Sequence, residues 1–279
     1  MRLVRGAARV IVGAVSDAVA RLVHGPPRSG RVAARTRFAV YLATGDTELP
    51  AVAVIAPDAI RVPNAVVLAR PGPGWAGVRP GTPARFGAGR VEFGAWRVAA
   101  DGSWAPPRAQ DLLCTAPVRE ARRAELARAA AGGGDRTPHS CTPHSSTPHS
   151  CTPCSAELRE ALRTDDTGRV LEAARALVGR GPGLTPSGDD ILCGALLARH
   201  ATGRPIGALA AAVGGAEART PLVSAALLRH AVRGECVPQV AQVIRGLGRG
   251  EALDLAPLLA VGHHSGADLL RGIAAGIAR

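Results

Sequence analysis

The chain contains no lysine; all 34 of its basic residues are arginine. Aromatic residues are nearly as scarce, with three Phe, three Trp and one Tyr in 279 residues. No apolar run approaches the roughly 18 residues that a membrane-spanning helix needs, so a cytoplasmic protein with no membrane partner is expected. The formal charge of +12 would ordinarily suggest a nucleic-acid partner, but the arginines are spread along the chain rather than gathered in blocks. Single-strand binders also stack bases on aromatics that this chain largely lacks. With abundant Ala, Gly and Pro, the arginine-for-lysine usage instead looks like the coding bias of a GC-rich genome.

What is present divides unevenly. Every aromatic lies between Phe38 and Trp104, and none occurs in the 175 residues that follow. The aromatic part carries short β-branched runs, "TRFAVYLA", "AVAVIA", "NAVVLA" and "GRVEFGAWRVAA", separated by Gly and Pro. These predict a small antiparallel sheet or barrel, with a hairpin turn at Asp101-Gly102. Ahead of it, Val4, Ala7, Ile11, Ala14 and Ala18 follow helical spacing and predict an N-terminal amphipathic helix rather than a cleaved leader. The remainder is Ala/Leu-rich and helically periodic, with Gly after several of the runs. The fold class expected is therefore α+β, an aromatic β-rich N-terminal domain followed by an all-helical C-terminal one. The expected boundaries are 1–115 for the first domain, 116–136 for a connecting helix, 137–155 for a linker and 156–279 for the helical domain.

The linker is a pentapeptide repeat, "TPHSC TPHSS TPHSC TPCSA", from Thr137 to Ala156. It holds His139, His144 and His149 with Cys141, Cys151 and Cys154. Thiol and imidazole together invite a zinc reading, but the spacings fit no standard module. Proline every fifth residue and the absence of core-forming side chains favour a tolerant linker. In a cytoplasmic chain the six Cys are not expected to form a disulfide framework.

The densest chemistry lies in "GPGLTPSGDDILCG", Gly181 to Gly194. Pro186 suits a first helical turn, and Ser187 with Asp190 makes a capping box. Capping leaves Gly181, Gly183, Gly188 and the second carboxylate unexplained. Glycines ahead of a helix let backbone N–H groups approach an anion without an intervening Cβ. Ser265-Gly266-Ala267-Asp268-Leu269-Leu270-Arg271-Gly272 repeats the pattern S-G-x-D-[IL]-L-x-G, 78 residues after its first copy at Ser187. Two readings stand: the two helix starts converge on one ligand, or they are similar caps on helices packed through Gly194 and Gly272. Thr220-Pro221 opens a third helix, whose Ser224 faces the same place or bonds its own backbone. Asp190 and Asp268 can turn back to cap their helices, which would leave Asp189 the free carboxylate.

The blocks "GRGPGLTPSGDDILCG", "RTPLVSAALLRHAVRGE" and "GHHSGADLLRG" resemble, in order, the signature blocks of the AllH-type subunit family of oxamate carbamoyltransferase. Weaker likeness extends to "GRVAARTRFAVYL" and "SWAPP". That family more often has Thr or Ser where His264 stands, and the His/Cys repeat is not one of its features. The resemblance implies phosphorolysis of oxalurate to oxamate and carbamoyl phosphate, in allantoin breakdown, together with FdrA-type and companion subunits. For such chemistry, N–H groups around Gly181, Gly183, Thr185, Ser187, Gly188 and Gly266, with the hydroxyls of Ser224 and Ser265, are the anion-binding candidates. Asp189 or Asp190 would accept from a carbamoyl NH2 or hold Mg2+ against a phosphate. His263 is either the acid–base group or a buried histidine bonding a helix end. The alternative functions are a non-catalytic subunit that binds a small anionic metabolite and, less favoured, a basic nucleic-acid-associated protein.

Overall fold

The structure, a computed structural model, describes residues 9–71, 74–112, 120–132, 152–248 and 252–278. The chain is α+β and divides into two compact units, Met1–Pro106 and Pro107–Arg279. Among the described residues, no helix is long and apolar enough to cross a membrane.

The first unit is a closed eight-stranded barrel. Its strands are β1 (Arg9–Ser16), β2 (Arg28–Arg35), β3 (Ala39–Ala43), β4 (Ala51–Ile55), β5 (Ala65–Leu68), β6 (Pro83–Gly87), β7 (Arg90–Phe93) and β8 (Trp96–Trp104), with one short helix, α1 (Ala20–His24). They close in the order β1-β5-β4-β3-β2-β6-β7-β8. The pairings are not all antiparallel, because β1 runs parallel to β8 and β4 parallel to β5. Alternate residues such as Val15, Leu42, Val54, Leu68, Phe86 and Phe93 fill the interior, joined by Val19, Leu22 and Val23 from the turn into α1 and from α1 itself. β4 and β5 are buried on both faces, since Ala53, Ile55, Ala65 and Val67 form a second cluster with Tyr41 and Trp104. That double burial explains their unbroken apolar runs.

Two expectations for this unit are corrected. The N-terminal amphipathic helix is instead strand β1, followed by the short α1; residues 1–8 of that segment lie outside the described residues. Ile11 and Val15 are buried while Val10 and Val12 are exposed, a period of two carried by β-branched side chains. Gly13 faces inward where a Cβ would lie 2.9 Å from Val66 Cγ1. Asp101-Gly102 is not a hairpin turn but an irregularity within β8. From Gly13 to Val15 the partner strand advances from Ala100 to Ser103, and Gly102 absorbs the extra residue at φ 87°.

The described part of the second unit is helical apart from an isolated bridge between Arg108 and Glu235. Its helices are α2 (Glu120–Gly132), α3 (Thr152–Thr164), α4 (Thr167–Leu177), α5 (Ser187–Ala201), α6 (Gly207–Val213), α7 (Leu222–Val232), α8 (Pro238–Leu247), α9 (Ala256–Leu259) and α10 (Ser265–Gly276). The His/Cys repeat lies outside the described residues as far as residue 151, and its last unit enters α3. The periodic run before Gly262 shrinks to the single turn α9, whose start Asp254 holds by accepting from the Ala256 N–H at 3.3 Å. After α7, Gly234 at φ 78° turns the chain so that buried Glu235 meets buried His230 at 2.6 Å. Burial opposes ionisation of Glu235, but the His230 bond and the His230, Arg233 and Arg108 charges outweigh it and lower its pKa.

The centre of this unit is the contact between α5 and α10. Gly194 lies against the backbone of Leu269 and Gly272, Gly272 against Ile191 and Ala195, and Gly276 against Ala195. The helices therefore run in the same direction, and residues related by the sequence repeat lie opposite one another. A Cβ on Gly272 would sit 2.0 Å from the Ile191 carbonyl oxygen, and one on Gly194 would sit 2.2 Å from that of Leu269. Only glycine permits this approach.

Gly272→Ala must push the helices apart and should lower stability by about 1–3 kcal/mol, read as a reduced urea midpoint. Gly207→Ala, at the open start of α6 with nothing within 4 Å of its Cβ, should be neutral or stabilising. Equal effects from the two substitutions would contradict the packing argument.

Candidate functional site

Because α5 and α10 are parallel, their N-termini come to the same end of the contact. Each start is built alike. The Gly188 N–H donates to the Arg180 carbonyl at 2.8 Å, and the Gly266 N–H donates to the Val261 carbonyl at 2.9 Å. A Cβ would lie 2.0 Å from the Leu177 carbonyl oxygen at Gly188 and 1.9 Å from that of Leu258 at Gly266. These glycines thus serve close backbone packing. Their N–H groups are occupied, contrary to the expectation that they face an anion.

The expected capping box is also absent. Pro186 and His264 are the N-cap residues, neither with a side-chain cap, and Ser187 and Ser265 are the first helical residues. Carbonyls of the preceding turns take over the capping, which releases the side chains of the first turn for other bonds. Gly181 (φ 118°) and Gly183 (φ 91°) lie in the exposed loop ahead of α5. A Cβ at Gly181 would meet the Ser187 nitrogen at 2.8 Å, whereas Gly183 faces open space.

The three first-turn carboxylates differ sharply in their surroundings. Asp189 is buried and fully engaged. Oδ1 accepts from the Gly179 N–H at 2.8 Å, and Oδ2 accepts from Ser224 Oγ at 2.6 Å and from Thr220 Oγ1. It ties the end of the α4 segment and the start of α7 to α5. Asp268 is buried and paired with Arg271 one turn along α10. Asp190, 5% exposed, has no hydrogen-bond partner for its Oδ2 among the described residues. Its pKa is pushed up to about 8, chiefly by burial, with the Asp268 and Asp189 charges adding and the Ser265 hydrogen bond opposing. The carboxylate expected to be free is therefore the structural one, and its neighbour holds the unused atom. A carboxyl left over from a three-donor network could be identified only once α7 was in place.

Ser265 brings the two helix starts together. Its hydroxyl lies 3.1 Å from that of Thr185, and it is near enough to Asp190 to oppose the rise of that carboxyl's pKa. Thr185 and Ser265 are half-buried, so the row Thr185–Ser265–Asp190 leads from the loop surface to a buried acid. Thr185, Asp190 and Ser265 are thus brought together, and Asp189 with Ser224 beside them. His263 is exposed rather than buried, its ring edge-on to His264 with centroids 4.4 Å apart. Among the described residues, no hydrogen bond joins it to the carboxylates. Ser187 is half-buried at the start of α5. Thr220 is the site residue whose bonding sequence reasoning did not foresee, although Thr220-Pro221 marked its helix start.

No group of three or more His, Cys, Asp or Glu side chains among the described residues is arranged to hold a metal ion. The thiol of Cys193, one turn beyond Asp190, is raised well above its ordinary range by burial, with the Asp190 and Asp189 charges adding. Burial pushes Cys236 up to about 12. Neither is poised as a thiolate nucleophile.

The carboxylates should separate by experiment. Asp189→Asn replaces one of two acceptor oxygens facing three donors and should cost about 2–3 kcal/mol in urea unfolding at all pH values from 6 to 9. Asp190→Asn should change the pH profile. A carboxyl raised to about 8 binds its proton more tightly folded than unfolded. It therefore stabilises the fold fully below about pH 4 and loses that contribution as pH climbs through 8. The wild type should weaken over that window relative to Asp190→Asn; parallel profiles would disprove the assignment.

Residues 177–277 match the model of the family described as oxamate carbamoyltransferase subunit AllH. No solved structure matches the chain. The matched span runs from the end of α4 to the end of α10 and contains both helix starts, the Asp189 network and the Thr185–Ser265–Asp190 row. Over residues 177–277, this chain is similar to the AllH family.

Proposed function

We propose that the chain is a subunit of an oxamate carbamoyltransferase-like complex, binding a small oxygen-bearing metabolite at the paired starts of α5 and α10. The observation that carries this reading is the contact between the two helix starts, Thr185 just ahead of α5 against Ser265 at the start of α10 at 3.1 Å, inside the family-matched span. Thr185, Ser187 and Ser265 supply hydroxyls, Gly183 leaves the loop backbone open, and the α5 and α10 dipoles place partial positive charge at the same end. The carboxylates do not veto an anion. Asp189 is saturated by internal donors, Asp268 is offset by Arg271, and Asp190 is mostly neutral near pH 7. His263, exposed beside the row, is the acid–base candidate in this reading. The ligand is oxalurate, oxamate or phosphate, the reaction is carbamoyl transfer to phosphate, and the partners are FdrA-type and companion subunits.

A second reading, a binding subunit whose partners hold the chemistry, is favoured by the structural engagement of Asp189 and the lack of a bond between His263 and the carboxylates.

The test is reconstitution with the companion subunits and measurement of carbamoyl phosphate formed from oxalurate and phosphate. Turnover that falls at least tenfold in His263→Gln while oxamate binding is kept supports the catalytic reading. Binding lost in Thr185→Val with turnover indifferent to His263 supports the second. A complex that neither binds nor turns over these compounds would refute both.

A further inference from the structure

The arginines are scattered along the sequence, but the barrel gathers several of them. Residues 1–106 hold 14 Arg against 6 Asp and Glu, so this unit carries most of the excess positive charge. β2, β6, β7, β8 and β1 are neighbours in that order around the barrel. Ala84, Phe86, Val91, Phe93 and Val98 point into its interior, so the residues between them face outward. The register sets those outward residues in rows. Ser29 lies opposite Arg85, Arg85 opposite Glu92, Glu92 opposite Arg97 and Arg97 opposite Val10. Two residues along, Arg90 lies opposite Ala99 and Ala99 opposite Val12. Arg31 extends the field on β2, opposite Pro83. At the usual strand separation the first row covers about 19 Å of sheet.

Arg31, Arg85, Arg90 and Arg97 are all exposed. Among the described residues only Glu92 pairs with any of them, at 3.6 Å from Arg97. The other acid on these strands, Asp101, is exposed beyond Ala99 at the bulge of β8. The β1 side of the field is apolar. Val10 is 59% exposed and Val12 40%, and exposed Ala69 donates its N–H to the Val12 carbonyl at 2.9 Å. A sheet face that meets only water is ordinarily polar. This one is an apolar strip bordered by cations.

Charge complementarity calls for an acidic partner, and the remaining chemistry selects a protein. Phe86, Phe93 and Trp96 are buried inside the barrel, and Trp104 packs in the cluster outside β4 and β5. The face therefore offers bases nothing to stack on. Glu92, in the middle of the row, opposes a phosphate backbone, and a duplex would leave Val10 and Val12 without an apolar contact. A second copy in a two-fold dimer would bring the same four arginines against these. Arginine instead forks carboxylates with paired hydrogen bonds, and it is enriched in protein interfaces where lysine is depleted. We propose that this outer face of the barrel docks a partner protein whose surface has an apolar centre edged by carboxylates. The barrel is closed, so the partner meets side chains and adds no strand. The proposal is independent of the small-ligand reading of the α5 and α10 starts.

The experiment uses the full chain and a fluorescently labelled helical peptide with a leucine stripe bordered on one side by glutamates, followed by anisotropy. A version with lysine for glutamate, a DNA single strand and a DNA duplex are the comparisons. The glutamate peptide should bind, and high salt should weaken it about tenfold. Arg85→Gln with Arg97→Gln should weaken it about tenfold, and Val10→Ser with Val12→Ser should weaken it as well. Arg61→Glu with Arg175→Glu, exposed elsewhere, removes more positive charge and should leave binding unchanged. All these positions are exposed, so urea midpoints near wild type should show the variants folded. An equal loss in the Arg61 and Arg175 variant would reduce the effect to net charge and overturn the proposal. So would a glutamate peptide that does not bind, or a lysine version that binds as well. DNA bound more tightly than the peptide and released by the Arg85 and Arg97 substitutions would make the face a nucleic-acid surface instead. A wild-type dimer dissociated by Val10→Ser with Val12→Ser would make the occupant a second copy, which also overturns it.

Discussion

The parallel contact of α5 and α10 is the constraint on which the rest of the second unit depends. Gly194 and Gly272 bring the two backbones closer than any side chain would allow. Because the register of that contact equals the spacing of the sequence repeat, the two motif copies are placed opposite each other rather than merely in the same domain. Antiparallel packing of the same two faces would separate Ser187 from Ser265 by the length of a helix, roughly 20 Å at 1.5 Å per residue. Direction, not only proximity, makes the shared end.

The shared end creates an electrostatic problem that the side chains resolve. Two aligned helix dipoles point their positive ends the same way, and Asp189, Asp190 and Asp268 lie within their first turns. The dipoles favour that negative charge, but burial does not. The structure answers differently for each: a three-donor network for Asp189, an arginine for Asp268, and retention of a proton for Asp190. The outcome is three first-turn carboxylates, each held in a different way, at one end of the helix pair.

Much of this was legible in the residues. The repeated S-G-x-D-[IL]-L-x-G pattern marked both helices, their starts and the glycines of their contact, and the confinement of aromatics marked the barrel unit. The runs at 51–56 and 64–69 became β4 and β5 because continuous apolar, β-branched stretches suit strands buried on both faces. β1 was misread because "RVIVGAVS" satisfies helical and alternating spacing alike, and only the barrel offers partners that settle it. β2 and β6 carry Arg, Gly and Pro at positions that would weaken an isolated strand, and they are held by neighbours distant in sequence.

By itself the sequence determined where α5, α7 and α10 begin and that the aromatic runs form strands. These depend on backbone sterics and side-chain size within a few residues. Tertiary structure alone decided the roles of the carboxylates. Asp189 and Asp190 are adjacent, chemically identical and on the same helix turn, so nothing local distinguishes them. Asp189 faces Thr220 and Ser224, delivered by α7 from more than thirty residues away, while Asp190 faces Ser265, delivered by α10 from seventy-five. Ionisation follows the donors that a buried group meets, and those donors arrive only with the fold.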